Sequence, residues 1–537
     1  MGRRDLSFLA LILGGVGCFA APLIPPRDRA GGVGGDAVVH PEKPAVAERV
    51  DAALRGRSLA LGATPAPSAP DLAVYRRLSL ALTGTIPALA AIRRFEAWPA
   101  ADRLASAREE LLADPRTGDY LAERLARAFV GTEGGPFLVY RRRRLVAWLA
   151  DELRLNRPYD QIVRDLIAGE GLWTSHPATN FVSVTFDPDR EAYDPERLAA
   201  RVARAFLGVR IDCAQCHDHP FAAWRRADFR GLAAFFGQVG PTFRGVTDGP
   251  GEFRAPTRAG GELVAIAPRV PFRPDLVPEA GSRRGRLAGW VTDPANRHFA
   301  RATANRAWAL LFGRPLVEPI DDLDAADAVP EALELLAADF ARGGFDLRAL
   351  LRAIAATEAF ARDSAAAEDE NPGAPPPEVT WATFPLTRLR PEQVAGAVLQ
   401  SAATATIDGD SPLLLRLATF GGIDEFVARH GDLGADEFAP QATSTIPQRL
   451  LLMNGDLLQK QIREDILNAS GRIAALAPDD PTAVEAAYLA ALTRRPTPGE
   501  AAHFAARLAR TGGADRKARV SDLLWVLLNS TEFSYNH

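Results

Sequence analysis

From Asp71 to the C terminus, apolar residues return every three or four positions, and this helical period constrains the fold more than any other feature. Leu72, Tyr75, Leu78 and Leu82 form the first stripe, which Gly84 and Pro87 close. Further short helices are expected over 88–98, 101–113 and 117–130. The basic run Arg141 to Arg144 opens the next helix, whose buried side is Leu145, Trp148, Leu149 and Leu153, so its charges belong to a solvated face. Another amphipathic helix covers 159–168. Asp194-Pro195 is a helix start, an N-cap residue followed by proline at the first helical position. Leu198, Val202, Ala205, Phe206 and Val209 form the stripe behind it. The period then fails over 240–278, a Gly- and Pro-rich stretch with β-like runs at 262–266 and 269–272. Helices resume at 287–312, pair up at 331–341 and 347–360, and fill most of 390–537. The pattern predicts a mainly α protein: helical domains at 71–239 and 287–537, joined by a small strand-bearing segment at 240–286. An acidic, proline-rich linker is expected near 365–380.

At 537 residues the chain is too long for one ordinary core. Hydrophobic content of 47% and charged content of 24% are those of a soluble globular protein. With a formal net charge of -4, no basic domain and no stacking-aromatic motif, nucleic-acid binding has no support. Residues 1–21 have the form of an export signal: Arg3 and Arg4, an apolar run from Leu6 to Val16, then Ala20 and Ala21 for cleavage. Gly17-Cys18 offers a lipoprotein-like alternative, and Leu6 to Ile24 is long enough for an uncleaved membrane anchor. Each variant puts the body outside the cytoplasm, in the periplasm or cell envelope, and the last two attach it to the membrane through the N terminus. The Ala/Pro/Gly-rich stretch 22–70 is expected to be a tether with one short helix at 44–59.

One short stretch concentrates the ligand chemistry: Cys213-Ala214-Gln215-Cys216-His217-Asp218-His219-Pro220-Phe221 holds both cysteines outside the leader. Cys-x-x-Cys-His is the attachment pattern of c-type haem, with Cys213 and Cys216 bound to the porphyrin and His217 as the proximal ligand. On an α-helical turn these positions share a face. The same sulfurs can instead act as thiolates toward Zn or Fe, with His217, Asp218 or His219 completing the shell. The plain reading is a disulfide or thiol pair, whose loop is too short to stabilise much through chain entropy. Pro220 disfavours helical geometry at His219, so that residue is expected on a turn.

If haem is bound, Met453 is the one methionine besides Met1 that can supply a distal thioether, although its Leu-rich surroundings also suit core packing. His176, His298 and His430 are weaker alternatives. The acidic run Glu318, Asp321, Asp322, Asp324 and Asp327 lacks the glycine and terminal glutamate of a Ca²⁺ loop and suits turn capping. Asn305-Arg306 with Trp308 is either a carboxylate or sugar contact or a structural part of its helix. No Ser-His-Asp signature, phosphate loop or paired-carboxylate motif is present, so no hydrolase is argued. A loose internal echo joins Leu80 to Thr83 with Leu489 to Thr493.

The Cys motif, followed by Asp228-Phe229 and by Leu232 to Phe236, resembles the planctomycete cytochrome-c-like domain, domain of unknown function fifteen-forty-nine. Arg77 to Gly84 and Arg157 to Gln161 add to that resemblance. The second half resembles its companion, domain of unknown function fifteen-fifty-three, through Asn305 to Trp308, Leu311 to Arg314, Val317 to Pro319, Gly344 to Leu347 and Leu528 to Phe533. The likeness spans roughly Asp71 to His537 and departs from the pattern at Ala222 and over Asp324 to Pro330. It implies a haem-attachment pattern without implying an activity. Three classes of function therefore stand: an exported haem protein for electron transfer or redox chemistry with a redox or envelope protein partner, a non-haem Zn or Fe protein, and a cofactor-free envelope binding or scaffold protein.

Overall fold

The computed structural model describes residues 42–132, 140–218, 224–256, 261–325, 328–365, 375–408, 411, 423, 425–431, 445–465 and 468–537, with Cys213 by its main chain alone. The export signal, residues 22–41 of the expected tether, His219, Asp327 and residues 366–374 of the expected linker lie outside these.

The described chain is mainly α-helical, with strands only in short two-stranded pairings. Local signals set many of the helix ends. Asp114 and Asp194 accept hydrogen bonds from the first free N–H groups of helices Pro115–Val130 and Pro195–Val202, each with proline at its first position. The expected helix over 287–312 is two helices, Arg283–Val291 and Arg297–Phe312. Asn296 caps the second and donates from its Nδ2 to the Trp290 carbonyl, which fixes the corner between them.

The Gly/Pro-rich segment carries two hairpins, Val239–Thr242 with Gly245–Asp248 and Arg254–Pro256 with Leu263–Ala265. The β-like run at 269–272 is not a strand. Its backbone is taken up elsewhere: the Arg269 N–H donates to the Gly231 carbonyl, and the Phe272 carbonyl accepts from the Trp290 indole.

Helix Arg297–Phe312 joins the two halves. It packs on helices Glu331–Arg342 and Leu347–Ala355 of the second half, and on helix Asp71–Thr83 and the turn Ala203–Leu207 of the first. Its Trp308 is fully buried and stacks on Phe312 at 4.2 Å. One contiguous apolar core runs from Val46 to Phe533. The stretch read as a tether is, from residue 45 on, part of this body. Helix Ala45–Ala60 buries Val46, Val50 and Leu54, four residues apart on one face, and packs on helix Glu331–Arg342.

The C terminus folds back on the first half. Strand Tyr535–Asn536 pairs with Thr387–Arg388, and the Arg77 Nε donates to the His537 carbonyl at 2.8 Å. The two echoing helices, Asp71–Thr83 and Asp480–Leu492, meet where buried Arg76 donates to the Ala491 carbonyl, and each ends on a left-handed residue, Gly84 and Thr493.

Candidate functional site

Helix Pro195–Val202 delivers the chain to the Cys motif. It widens into a π-helical turn over Ala203–Leu207 and stops at Gly208, whose φ of 61° is left-handed. A single sequence stripe from Leu198 to Val209 hides this widening, because one extra residue in a turn hardly changes an apolar period.

The motif begins in a 3₁₀ turn, Asp212–Gln215, and not in the α-turn that its i, i+3, i+4 spacing suggested. Ile211 and Ala214 are buried, with the Ala214 N–H donating to the Ile211 carbonyl, while Gln215, Cys216, His217 and Asp218 are exposed. The turn packs on helix Arg226–Ala233. Two contacts pin it to the incoming helix: Arg204 pairs with Asp212 at 2.6 Å, and the Gln215 Nε2 donates to Glu196 at 2.7 Å.

Cys216 is a free, exposed thiol. The His217 Nδ1 lies 2.8 Å from the Asp218 carbonyl. A carbonyl can only accept, so Nδ1 is the donor here, and Nε2 is the nitrogen left for any ligand. Asp218 is committed on its own account, because its Oδ1 accepts from the Arg226 N–H at 2.9 Å at the start of the following helix. The main chain of Cys213 lies in the 3₁₀ turn; its sulfur and the whole of His219 lie outside the described residues. Among the described residues no three His, Cys, Asp or Glu side chains converge as metal ligands.

The acidic run, noted separately in the sequence, lies against the residues that lead into the motif. The Leu323 N–H donates to the Gly208 carbonyl at 2.7 Å, and Arg210 pairs with Asp321 at 2.6 Å. Burial pushes the Asp322 carboxyl above its ordinary range, and a hydrogen bond from the Arg210 backbone opposes this. Glu318 pairs with Arg314, and Asp324 lies 3.8 Å from His298. After the motif in the chain, Trp224 packs on Phe272 at 6.2 Å, and Phe272 lies 4.3 Å from the same His298. Neither the Arg210–Asp321 pair nor this aromatic group carries a local sequence signal, since each joins residues far apart in the chain.

The other flagged residues are placed elsewhere. Met453 is half-buried on helix Ile446–Asn454 in the C-terminal layer, where its carbonyl accepts from Trp525 and Gln459 at 3.2 Å. His176 is exposed before the short turn Pro177–Thr179, and His430 is buried on Phe426 at 5.1 Å. Asn305 and Arg306 are structural. Asn305 exchanges two hydrogen bonds with the Val317 backbone, and Arg306 donates to the Ala205 carbonyl just before the motif.

Residues 49–240 match the family model PSCyt2, Protein of unknown function (DUF1549), and residues 283–414 match PSD1, Protein of unknown function (DUF1553). The Cys motif lies in the first matched region; the acidic loop and His298 lie in the second. No curated protein and no solved structure matches the chain.

Proposed function

In a chain that carries the PSCyt2 region followed by the PSD1 region, we propose that the Cys213–His217 turn attaches a c-type haem and that the protein serves electron transfer or redox chemistry outside the cytoplasm. One observation carries this reading: the His217 Nδ1–H donates to the Asp218 carbonyl, which leaves Nε2 as the nitrogen available to iron. That is the arrangement in which an imidazole is oriented for iron, with the second nitrogen held by a carbonyl.

The residue types of the motif suit the group. Cys216 and the main chain of Cys213 are three residues apart on one tight turn, and the Cys216 thiol is exposed to an attaching enzyme. Cys213 and Cys216 would hold the porphyrin through thioethers and His217 would be the proximal ligand, with Asp218 and Arg226 fixing the loop that orients the ring. When bound, haem supplies a one-electron couple. The exposed edge at Gln215 to Asp218 suits a protein redox partner in the envelope. Location there rests on the export-like leader; no helix among the described residues is long and apolar enough to cross a membrane.

A bare Zn or Fe ion bound by the same Nε2 and the motif's thiolates is the second reading. The test is to express the full chain with haem-maturation machinery and an export route, then record its absorption spectrum, intact mass and metal content. A Soret band with a covalent haem mass increment, lost in Cys213→Ser, is expected. A colourless protein holding stoichiometric Zn or Fe that is lost in Cys213→Ser establishes the metal reading instead. A product with neither leaves an envelope binding or scaffold protein.

A further inference from the structure

Away from the Cys turn, a cleft opens between the two halves of the molecule. It lies where the end of helix Arg103–Ala113 and the start of helix Pro115–Val130 meet the end of helix Arg142–Arg154 and the start of helix Leu347–Ala355. Boundaries between structural units are where ligand pockets concentrate. The cavity measures about 170 Å³ and is walled by Leu112, Leu121, Leu153, Leu347 and Leu351. For comparison, an apolar cavity of about 150 Å³ holds a benzene ring.

The polar groups on its rim are nearly all spent. Asp114 is paired with Arg116, and Arg154 with Asp119 and Asp151. The Thr117 hydroxyl donates to the Leu111 carbonyl, and Asn156 donates to Asp346. Arg348 differs. It is half-buried on the cavity wall, its Nη2 donates to the Arg154 carbonyl at 3.1 Å, and among the described residues no carboxylate pairs with it. A guanidinium has further N–H groups in a planar fork that matches a carboxylate. A chamber of one-ring size with leucine walls, a polar rim and, among the described residues, a cation that no carboxylate pairs therefore has the chemistry to hold a small acid.

We infer that this cleft is a binding site for a small monocarboxylate with a compact apolar body, held by Arg348 and by the leucines of both halves. The acid group meets the guanidinium in a charge-assisted pair, and the body fills the chamber. Because helices of both halves form the walls, occupancy stabilises their contact and raises the melting temperature by mass action.

The probe is benzoate, with benzamide as its uncharged twin, titrated calorimetrically onto the full chain. Benzoate is expected to bind about tenfold more tightly than benzamide, the difference between a charged and a neutral hydrogen-bonded pair. Arg348→Gln, which removes one partly exposed side chain with one hydrogen bond, is expected to leave the melting temperature of the free protein unchanged and to abolish the preference. No benzoate binding at millimolar concentration, equal binding of the two probes, or full benzoate affinity in the variant overturns the inference.

Discussion

The main-chain N–H of Leu323 donates to the carbonyl of Gly208 at 2.7 Å, so the acidic loop of the second half is fastened to the residue that releases the chain into the Cys motif. Leu323 is buried, and its side chain occupies the space a Cβ at Gly208 would need. The position of the motif therefore depends on both matched regions, although its own residues lie in the first.

Gly208 is required there twice over. Its φ is 61°, and a Cβ would meet Leu323 at 3.1 Å and Ala302 at 3.2 Å. Gly208→Ala is expected to lose about 1–2 kcal/mol from the left-handed conformation alone, with the contact to Leu323 adding to it. Thermal melts of the full chain check the loss, and on the proposed cofactor reading the loading should fall with it. A melting temperature equal to that of the parent contradicts the account.

Asn305 ties its helix to the loop before the acidic run. Its Nδ2 donates to the Val317 carbonyl at 2.9 Å, and its Oδ1 accepts from the Val317 N–H at 3.0 Å, with both residues buried. Asn305→Ala leaves two buried backbone groups unpaired and is expected to cost about 2–4 kcal/mol in urea denaturation. Asn305→Asp keeps the acceptor, loses the donor and should also destabilise. A ligand-contact role for Asn305 would instead leave stability near the parent value.

What was legible in the sequence was legible because it is local. Asp194-Pro195 caps and starts a helix through contacts with its own next residues, so residue type alone reveals it. The Cys motif is equally local as a pattern. Its conformation was not, since the chain leaves a π-helical turn for a 3₁₀ turn and the helical period resolves neither. Helix Ala45–Ala60 was foreseen as a short helix, but its burial was not, because its partner Glu331–Arg342 is remote in sequence and its own composition is that of a tether. For the same reason the acidic run read as turn capping alone, when Asp321 also reaches back to Arg210. Pairings between distant residues leave no trace in periodicity.

Acid sensitivity below the carboxylate range should centre on Arg494. Its guanidinium is bidentate to both Glu500, at 2.8 and 3.0 Å, and Glu532, at 2.5 and 2.8 Å. The Arg494 hydrogen bonds hold the Glu500 carboxyl down to about 2. Burial pushes Glu532 up, but hydrogen bonds from Arg494 and His537 outweigh it and bring it to about 2 as well. Folded values below the ordinary 4.5 mean that this stabilisation is present above pH 4.5 and is lost as pH falls toward 2. Arg494→Gln should be destabilised at neutral pH, and its deficit should narrow across that window. Urea midpoints at stepped pH measure it, and a constant deficit would count against the network.

A separate window belongs to His430. Burial, and then the charge of Arg388, lower its imidazole from 6.5 to about 4. The unfolded chain takes up a proton below pH 6.5 that the folded chain refuses until about pH 4, so stability falls through this interval and levels off beneath it. The Arg494 carboxylates lose their contribution only below 4.5, so the His430 effect is read as the difference between parent and variant from 6.5 to 4.5. His430→Gln, which keeps a polar side chain without a titrating ring, should remove the fall there while retaining the acid limb. Denaturation midpoints for parent and variant at half-unit pH steps decide the matter. Curves that run parallel from pH 7 to 4.5 would show that burial of this ring does not couple protonation to folding.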